Sequence, residues 1–210
     1  MSINKTIAFL RFIFIKILFR NSNFINFTYS HSIFKGYKRI SIGKLNIFQD
    51  YSRVIIDGYS NKQNIIIGNQ NTISSFATLR SHGGYIKIGN KNFIGERVQI
   101  QGRGGVEIGS RCMIAANTFI SSSNHDFQNP LSDSYLRKEI PKKTKIDDFV
   151  WIGANVTIVA GVTIEHHVII GAGTVVTKDV KAYSMVVGNP GKIIKEFSLE
   201  LNKWIKKNGK

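Results

Sequence analysis

His125 is the side chain best placed to do chemistry in this sequence. It lies in Ser121-Ser122-Ser123-Asn124-His125-Asp126-Phe127-Gln128-Asn129-Pro130, just after Ile120, at the root of a long irregular segment. An imidazole, with an ordinary pKa of about 6.5, accepts a proton at neutral pH once another group orients its second ring nitrogen. Loops on rigid scaffolds attract function, yet many loop histidines are only hydrogen-bonded surface groups, so position alone leaves both roles open. The other candidates are weaker. Cys112 is the single cysteine and cannot staple the domain, which points to a core-lining or turn thiol in a reducing compartment. Ser121 to Ser123 have no evident activating partner.

The scaffold that must hold His125 is announced by a six-residue beat. Ile146, Ile152, Ile158, Ile164, Ile170, Val176 and Ala182 follow one another at that interval, with Gly153 and Gly171 directly after two of them. The same beat runs earlier through Ile67, Ile73 and Leu79, then Ile88, Ile94 and Ile100, then Ile108, Ile114 and Ile120, with slips of three and two residues between these groups. Each hexapeptide supplies one short strand and one turn and cannot bury its apolar side alone, so the units must stack into a parallel β-helix. Between Ile120 and Ile146 there are 26 residues where six are expected. An excursion of that size inside a regular solenoid is functional or disordered. His125 stands where it begins.

Charge divides the chain differently. The net charge is +16, and residues 1–49 contain eight Lys or Arg and no acid, while residues 192–210 carry six Lys and two Glu. Residues 7–19, IAFLRFIFIKILF, are apolar but broken by Arg11 and Lys16 and too short for the roughly 20 apolar residues of a bilayer span. Two roles fit: a segment lying on an anionic membrane surface, or an element that caps the solenoid and packs on a neighbouring subunit. No small-x-small cleavage site follows, so a secretory signal is not expected. No nucleic-acid motif accompanies the charge, so no nucleic-acid partner is expected. The organisation expected is a basic apolar appendage over 1–39, a β-helix domain over 40–191 with a loop at 121–145, and a basic C-terminal segment over 192–210 that forms a helix.

Taken together, Ser-Ser-Ser-Asn-His125-Asp, Ile146-Asp-Asp-Phe-Val-Trp151-Ile-Gly-Ala-Asn-Val, Gly171-Ala-Gly-Thr-Val-Val-Thr177-Lys178-Asp179-Val and Gly188-Asn-Pro-Gly-Lys192-Ile resemble the hexapeptide-repeat acyltransferases. The sequence is similar to the branch of galactoside and maltose O-acetyltransferases and of enzymes that acetylate surface polysaccharides. The similarity is strong over about 108–195, weaker over 40–107 and absent from the basic N-terminus. It implies an all-β, left-handed parallel β-helix assembled as a homotrimer with active sites in the clefts between subunits. It also implies a general-base role for His125 in acetyl transfer from acetyl-CoA to a sugar hydroxyl, with no metal required. By the same resemblance Trp151 walls the cleft, Ala154 and Ala172 offer backbone groups to the pantetheine arm, and Thr177, Lys178 and Lys192 meet the far end of CoA. Asn117 is a candidate to face the acceptor, with a corner residue that makes turn hydrogen bonds as the alternative. His166 and His167 receive no chemistry.

The expected activity is therefore an acetyl-CoA-dependent O-acetyltransferase acting on a surface polysaccharide or its lipid-linked precursor. It is expected in the cytoplasm, either free or peripheral on the inner face of the cell membrane. The alternatives are N-acetylation of a nucleotide-linked amino sugar and a non-catalytic trimeric scaffold that binds membrane or acidic glycan. A metal-dependent hydratase similar to γ-type carbonic anhydrases is disfavoured. It needs three well-placed histidines, and His82, His125 and the adjacent pair His166-His167 do not supply the close ligand pair.

Overall fold

A computed structural model describes residues 26–29, 31–58 and 64–207. The apolar run at 7–19, and with it the choice between membrane segment and cap, lies outside the described residues. Short strands stack into three sheets that form the sides of a prism. Sheet A has ten strands, from Phe27–Thr28 to Lys203–Lys206; sheet B has seven, from Ile33–Lys35 to Val175–Val176; sheet C has six, from Ile40–Ile42 to Thr163–Ile164. The chain visits A, B and C in turn through about seven coils.

The beat residues sit directly above one another. Ile73, Ile94, Ile114, Ile152 and Ile170 are register partners in sheet A, and Leu79, Ile100, Ile120 and Ile158 in sheet B. All of them are buried. Because strand side chains alternate, a one-residue slip would turn a whole column outward. Burying each aliphatic side chain contributes about 1.5–3 kcal/mol, which fixes the register. The extra residues of the two slips, Ser81–Gly84 and Gly102–Gly105, and the long excursion after Ser121 all fall at the corner between sheets B and C. That corner is shortened in the last coil: the inward residue after Val176 is Val180, bridged to Ile164, so the beat passes through Val180 and Val186 rather than Ala182.

Both ends differ from expectation. The strands Phe27–Thr28 and Ile33–Lys35 already pair in parallel with Ile47–Phe48 and Arg53–Ile55, so the solenoid begins before residue 40. Among the described residues no helix forms near the C-terminus. Lys192–Ser198 folds back antiparallel on Ser184–Val187, and Lys203–Lys206 pairs with it in turn. The last rung of sheet A presents an open edge, and the β-branched and aromatic residues Ile193, Ile194, Phe197, Trp204 and Ile205 suit strands that cover it. Ile193 packs on the core, and Phe197 and Trp204 meet edge to face at 5.4 Å.

The corner between C and A is tied by side chains. Buried Asn26, Asn46, Asn71 and Asn92 form a ladder in which each Oδ1 accepts the backbone N–H of the residue one coil above, ending at the N–H of Cys112. Each asparagine Nδ2 also donates to a turn carbonyl, as Asn92 does to Gly109. Cys112 continues the pattern with sulfur: Sγ–H donates to the Asp147 carbonyl at 3.1 Å, and the Val150 N–H points at the same atom.

Burial, reinforced by the negative charge of Asp148, pushes the Cys112 thiol up to about 11 from a usual 9.0. The native state thus keeps this proton to higher pH than the unfolded chain. Its contribution is complete below about pH 9 and is lost as pH rises toward 11, by up to about 3 kcal/mol. Cys112→Asn preserves the donor and acceptor geometry without an ionisable group. Urea unfolding at pH 8 and pH 10.5 should therefore show a smaller alkaline loss in the variant; equal losses would count against this account.

Candidate active site

The excursion is a small antiparallel hairpin rather than an open loop at its base. Ser123–His125 pairs with Glu139–Pro141, with Ser123 opposite Pro141 and His125 opposite Glu139. Its root is stitched to the coils on either side: Gly104 N–H donates to Ser122 Oγ at 3.0 Å, Lys142 N–H to the Ser122 carbonyl at 2.9 Å, and Thr144 Oγ1–H to the Ser121 carbonyl at 2.6 Å. Gly104 is required there, because a Cβ would stand 2.2 Å from the Ser122 carbonyl oxygen.

The imidazole of His125 is exposed, and its Nδ1 lies 3.2 Å from the backbone carbonyl of Arg137. A carbonyl can only accept, so this contact puts the ring hydrogen on Nδ1 and leaves the Nε2 lone pair facing outward. Asp126 does not perform this task, since its Oδ1 accepts the Gln128 N–H in a local turn. Sequence reasoning left the orienting group unnamed for a physical reason: a backbone carbonyl twelve residues away has no side-chain signature.

The other candidates divide between two regions. Asn117 is an exposed corner residue between sheets A and B with a φ of 59°, and its N–H donates to the Glu96 carbonyl, which fits its turn role. Ala154 and Ala172 occupy the same corner one and two coils above: Asn155 N–H donates to Ala116, and Gly173 N–H to Ala154. Trp151 leads into this corner on the outer surface of sheet A, 51% exposed, between Met113 and Ile169. Lys192 is exposed beside Val187 at the end of the same sheet. His125, Thr177 and Lys178 instead belong to the corner between B and C. The candidate residues of one chain therefore form two candidate half-sites: an imidazole on one corner, and a strip of small residues beside a tryptophan on another.

A Cβ at Gly173 would meet nothing within 4 Å, whereas one at Gly153 would fall 2.6 Å from the Ala172 backbone nitrogen. The coils are thus tightly stacked while the corner outside them is open. Among the described residues no three His, Cys, Asp or Glu side chains are grouped for a metal ion. Nor is any helix there long and apolar enough to cross a membrane.

Residues 143–178 match the family described as bacterial transferase hexapeptide (six repeats), and residues 85–122 match the hexapeptide repeat of succinyl-transferase. In these two stretches the chain is similar to the hexapeptide-repeat transferases. Galactoside O-acetyltransferase of Escherichia coli (strain K12) is 33% identical over 118 residues, covering 56% of this chain and 57% of that protein. Polysialic acid O-acetyltransferase of Escherichia coli O1:K1 / APEC is 36% identical over 116 residues, 54% of this chain and 37% of the relative. This hexapeptide-repeat chain spans about half the length of the curated relatives it matches. Among solved structures, the polysialic acid O-acetyltransferase OatWY superposes with a TM-score of 0.59 and 26% identity over 83% of this chain and 87% of that one. The N-acyltransferase AntD from Bacillus cereus, determined with coenzyme A and dTDP-4-amino-4,6-dideoxyglucose, shares the fold at a TM-score of 0.63 and 22% identity, over 89% and 88% of the two chains.

Proposed function

We propose that this protein transfers an acetyl group from acetyl-CoA to a sugar hydroxyl of a surface polysaccharide or its lipid-linked precursor, with His125 as general base. The observation that carries this reading is the Nδ1 contact to the Arg137 carbonyl, which leaves Nε2 as a free base on a hairpin fixed to a rigid coil. The relatives named for O-acetylation of galactosides and polysialic acid support the choice of a carbohydrate hydroxyl.

In the proposed reaction Nε2 takes the hydroxyl proton as the oxygen attacks the thioester carbonyl carbon. The tetrahedral oxyanion collapses, the C–S bond breaks, and the imidazolium returns the proton to the departing thiolate. No covalent acyl-enzyme is needed, and the raised pKa of buried Cys112 makes that thiol a poor nucleophile. A backbone N–H between Trp151 and Ala154 is the proposed oxyanion donor. The open strip of Ala154, Ala172 and Gly173 suits a pantetheine arm, with Thr177, Lys178 and Lys192 proposed for the far end of CoA.

Because the two half-sites lie on different corners of one prism, the complete site requires a second copy, and a homotrimer supplies three such junctions. Two measurements test this. Thiol release from acetyl-CoA, with hydroxyl and amino sugars compared side by side, should favour the hydroxyl acceptors; preference for amines would assign N-acetylation instead. Refolding a mixture of His125→Ala and Trp151→Ala chains should recover activity absent from either alone, by forming junctions with both side chains intact. Failure to recover any, with both variants inactive and trimeric, would place the whole site within one chain.

A further inference from the structure

The corner that bears the hairpin carries a second feature, a run of polar contacts through the coils beneath it. At its base Asp57 accepts Arg80 Nε–H at 2.7 Å and the His82 backbone N–H at 2.9 Å. The next coil contributes Arg103, whose Nη1 donates to the His82 carbonyl at 3.0 Å. The Nε of the same guanidinium lies 2.9 Å from Glu139 Oε2, and Glu139 is the residue directly opposite His125 across the hairpin. Arg103 thereby joins its own coil, the coil of His82 and the strand facing the imidazole.

We propose that Arg103 is a positioning residue for His125, acting through Glu139. This rests on the reading of His125 as the base. The planar guanidinium is what the task requires, since one rigid group must hold a carbonyl below and a carboxylate above at a fixed angle. A lysine offers only a point charge and cannot keep both contacts in register. Arg103 and Glu139 are both partly exposed, and ion pairs of that kind contribute little to global stability. The consequence of the pair falls on geometry instead. Anchoring Glu139 fixes the antiparallel partner of His125, and the Arg137 carbonyl that holds Nδ1 lies two residues before Glu139 on the same segment. A base displaced by about 1 Å loses on the order of a hundredfold in rate.

The test uses the full chain with Arg103→Gln, Arg103→Lys, Glu139→Gln and the reciprocal double variant Arg103→Glu with Glu139→Arg. The Gln variants should lower kcat about tenfold to a hundredfold while KM for acetyl-CoA changes by less than about twofold. Arg103→Lys should fall between them and the parent, and the reciprocal pair should regain part of the rate. Amide exchange at Asn124 to Asp126 should accelerate in the Gln variants, with the thermal midpoint nearly unmoved. Unchanged kcat in the Gln variants, with His125→Ala inactive, would overturn the proposal. If His125→Ala retains full turnover, the catalytic reading falls, and exchange alone then decides: unaltered protection in Arg103→Gln removes the positioning role as well.

Discussion

His125→Ala lowers acetyl transfer by about a thousandfold, within the 10²–10⁴ range that a positioned general base supplies. A sugar hydroxyl is almost fully protonated at neutral pH, and without Nε2 the proposed acceptor of its proton is gone as the carbon–oxygen bond forms. The expected loss appears in kcat and in kcat/KM alike, with KM for acetyl-CoA little changed, because the imidazole acts at the transition state rather than in donor binding. The ring is exposed on the hairpin surface and its Nδ1 meets a backbone carbonyl, that of Arg137, so the variant should fold and keep its thermal midpoint. Steady-state thiol release at saturating acetyl-CoA checks this. A variant within tenfold of the parent would remove His125 from the chemistry.

The largest expected effect on stability is at Asn71. This side chain is fully buried; its Oδ1 accepts Asn92 N–H at 2.9 Å, and its Nδ2 donates to Asn46 Oδ1 and the Gly89 carbonyl, both at 3.0 Å. Asn71→Leu keeps the branched outline of the side chain but leaves the Asn92 N–H and the Gly89 carbonyl without partners inside the corner. At about 1–3 kcal/mol for each of the two orphaned groups, the cost is about 2–6 kcal/mol. That is a large share of the 5–15 kcal/mol typical of a domain. Each coil of a solenoid is stabilised mainly by its neighbours, so a break in the middle of the ladder should uncouple the coils on either side. Urea unfolding at matched protein concentration measures both effects: a lower midpoint, and a broader transition if the halves separate. A shift below about 1 kcal/mol would mean that the ladder's bonds are replaced by water rather than lost.

The two variants probe different levels of the same design. Asn71 belongs to the repetitive frame, where each coil satisfies the backbone of the next. His125 belongs to the interruption, where the frame is used to hold one group in place. The residues that connect them, Arg103 and Glu139, are unremarkable in sequence, and Glu139 lies in the segment whose beat is lost.

The hexapeptide beat by itself determined the parallel solenoid, the inward face of nearly every strand and the location of His125 at the start of the excursion. It could do so because a two-residue alternation and a fixed turn length are local properties, written wherever they operate. Local sequence failed where a decision depended on what lay alongside. The C-terminal segment became two strands because the last rung of sheet A offers an edge to cover, and the step from Val176 to Val180 followed a shortened corner. Only the tertiary structure decided which groups touch His125, since the Arg137 carbonyl and Glu139 reach it across a hairpin. Only the winding of the coils set Trp151, Ala154 and Ala172 on a different corner from the imidazole. Six residues per side specify a prism, but which corners meet a ligand depends on where each insertion leaves the coil.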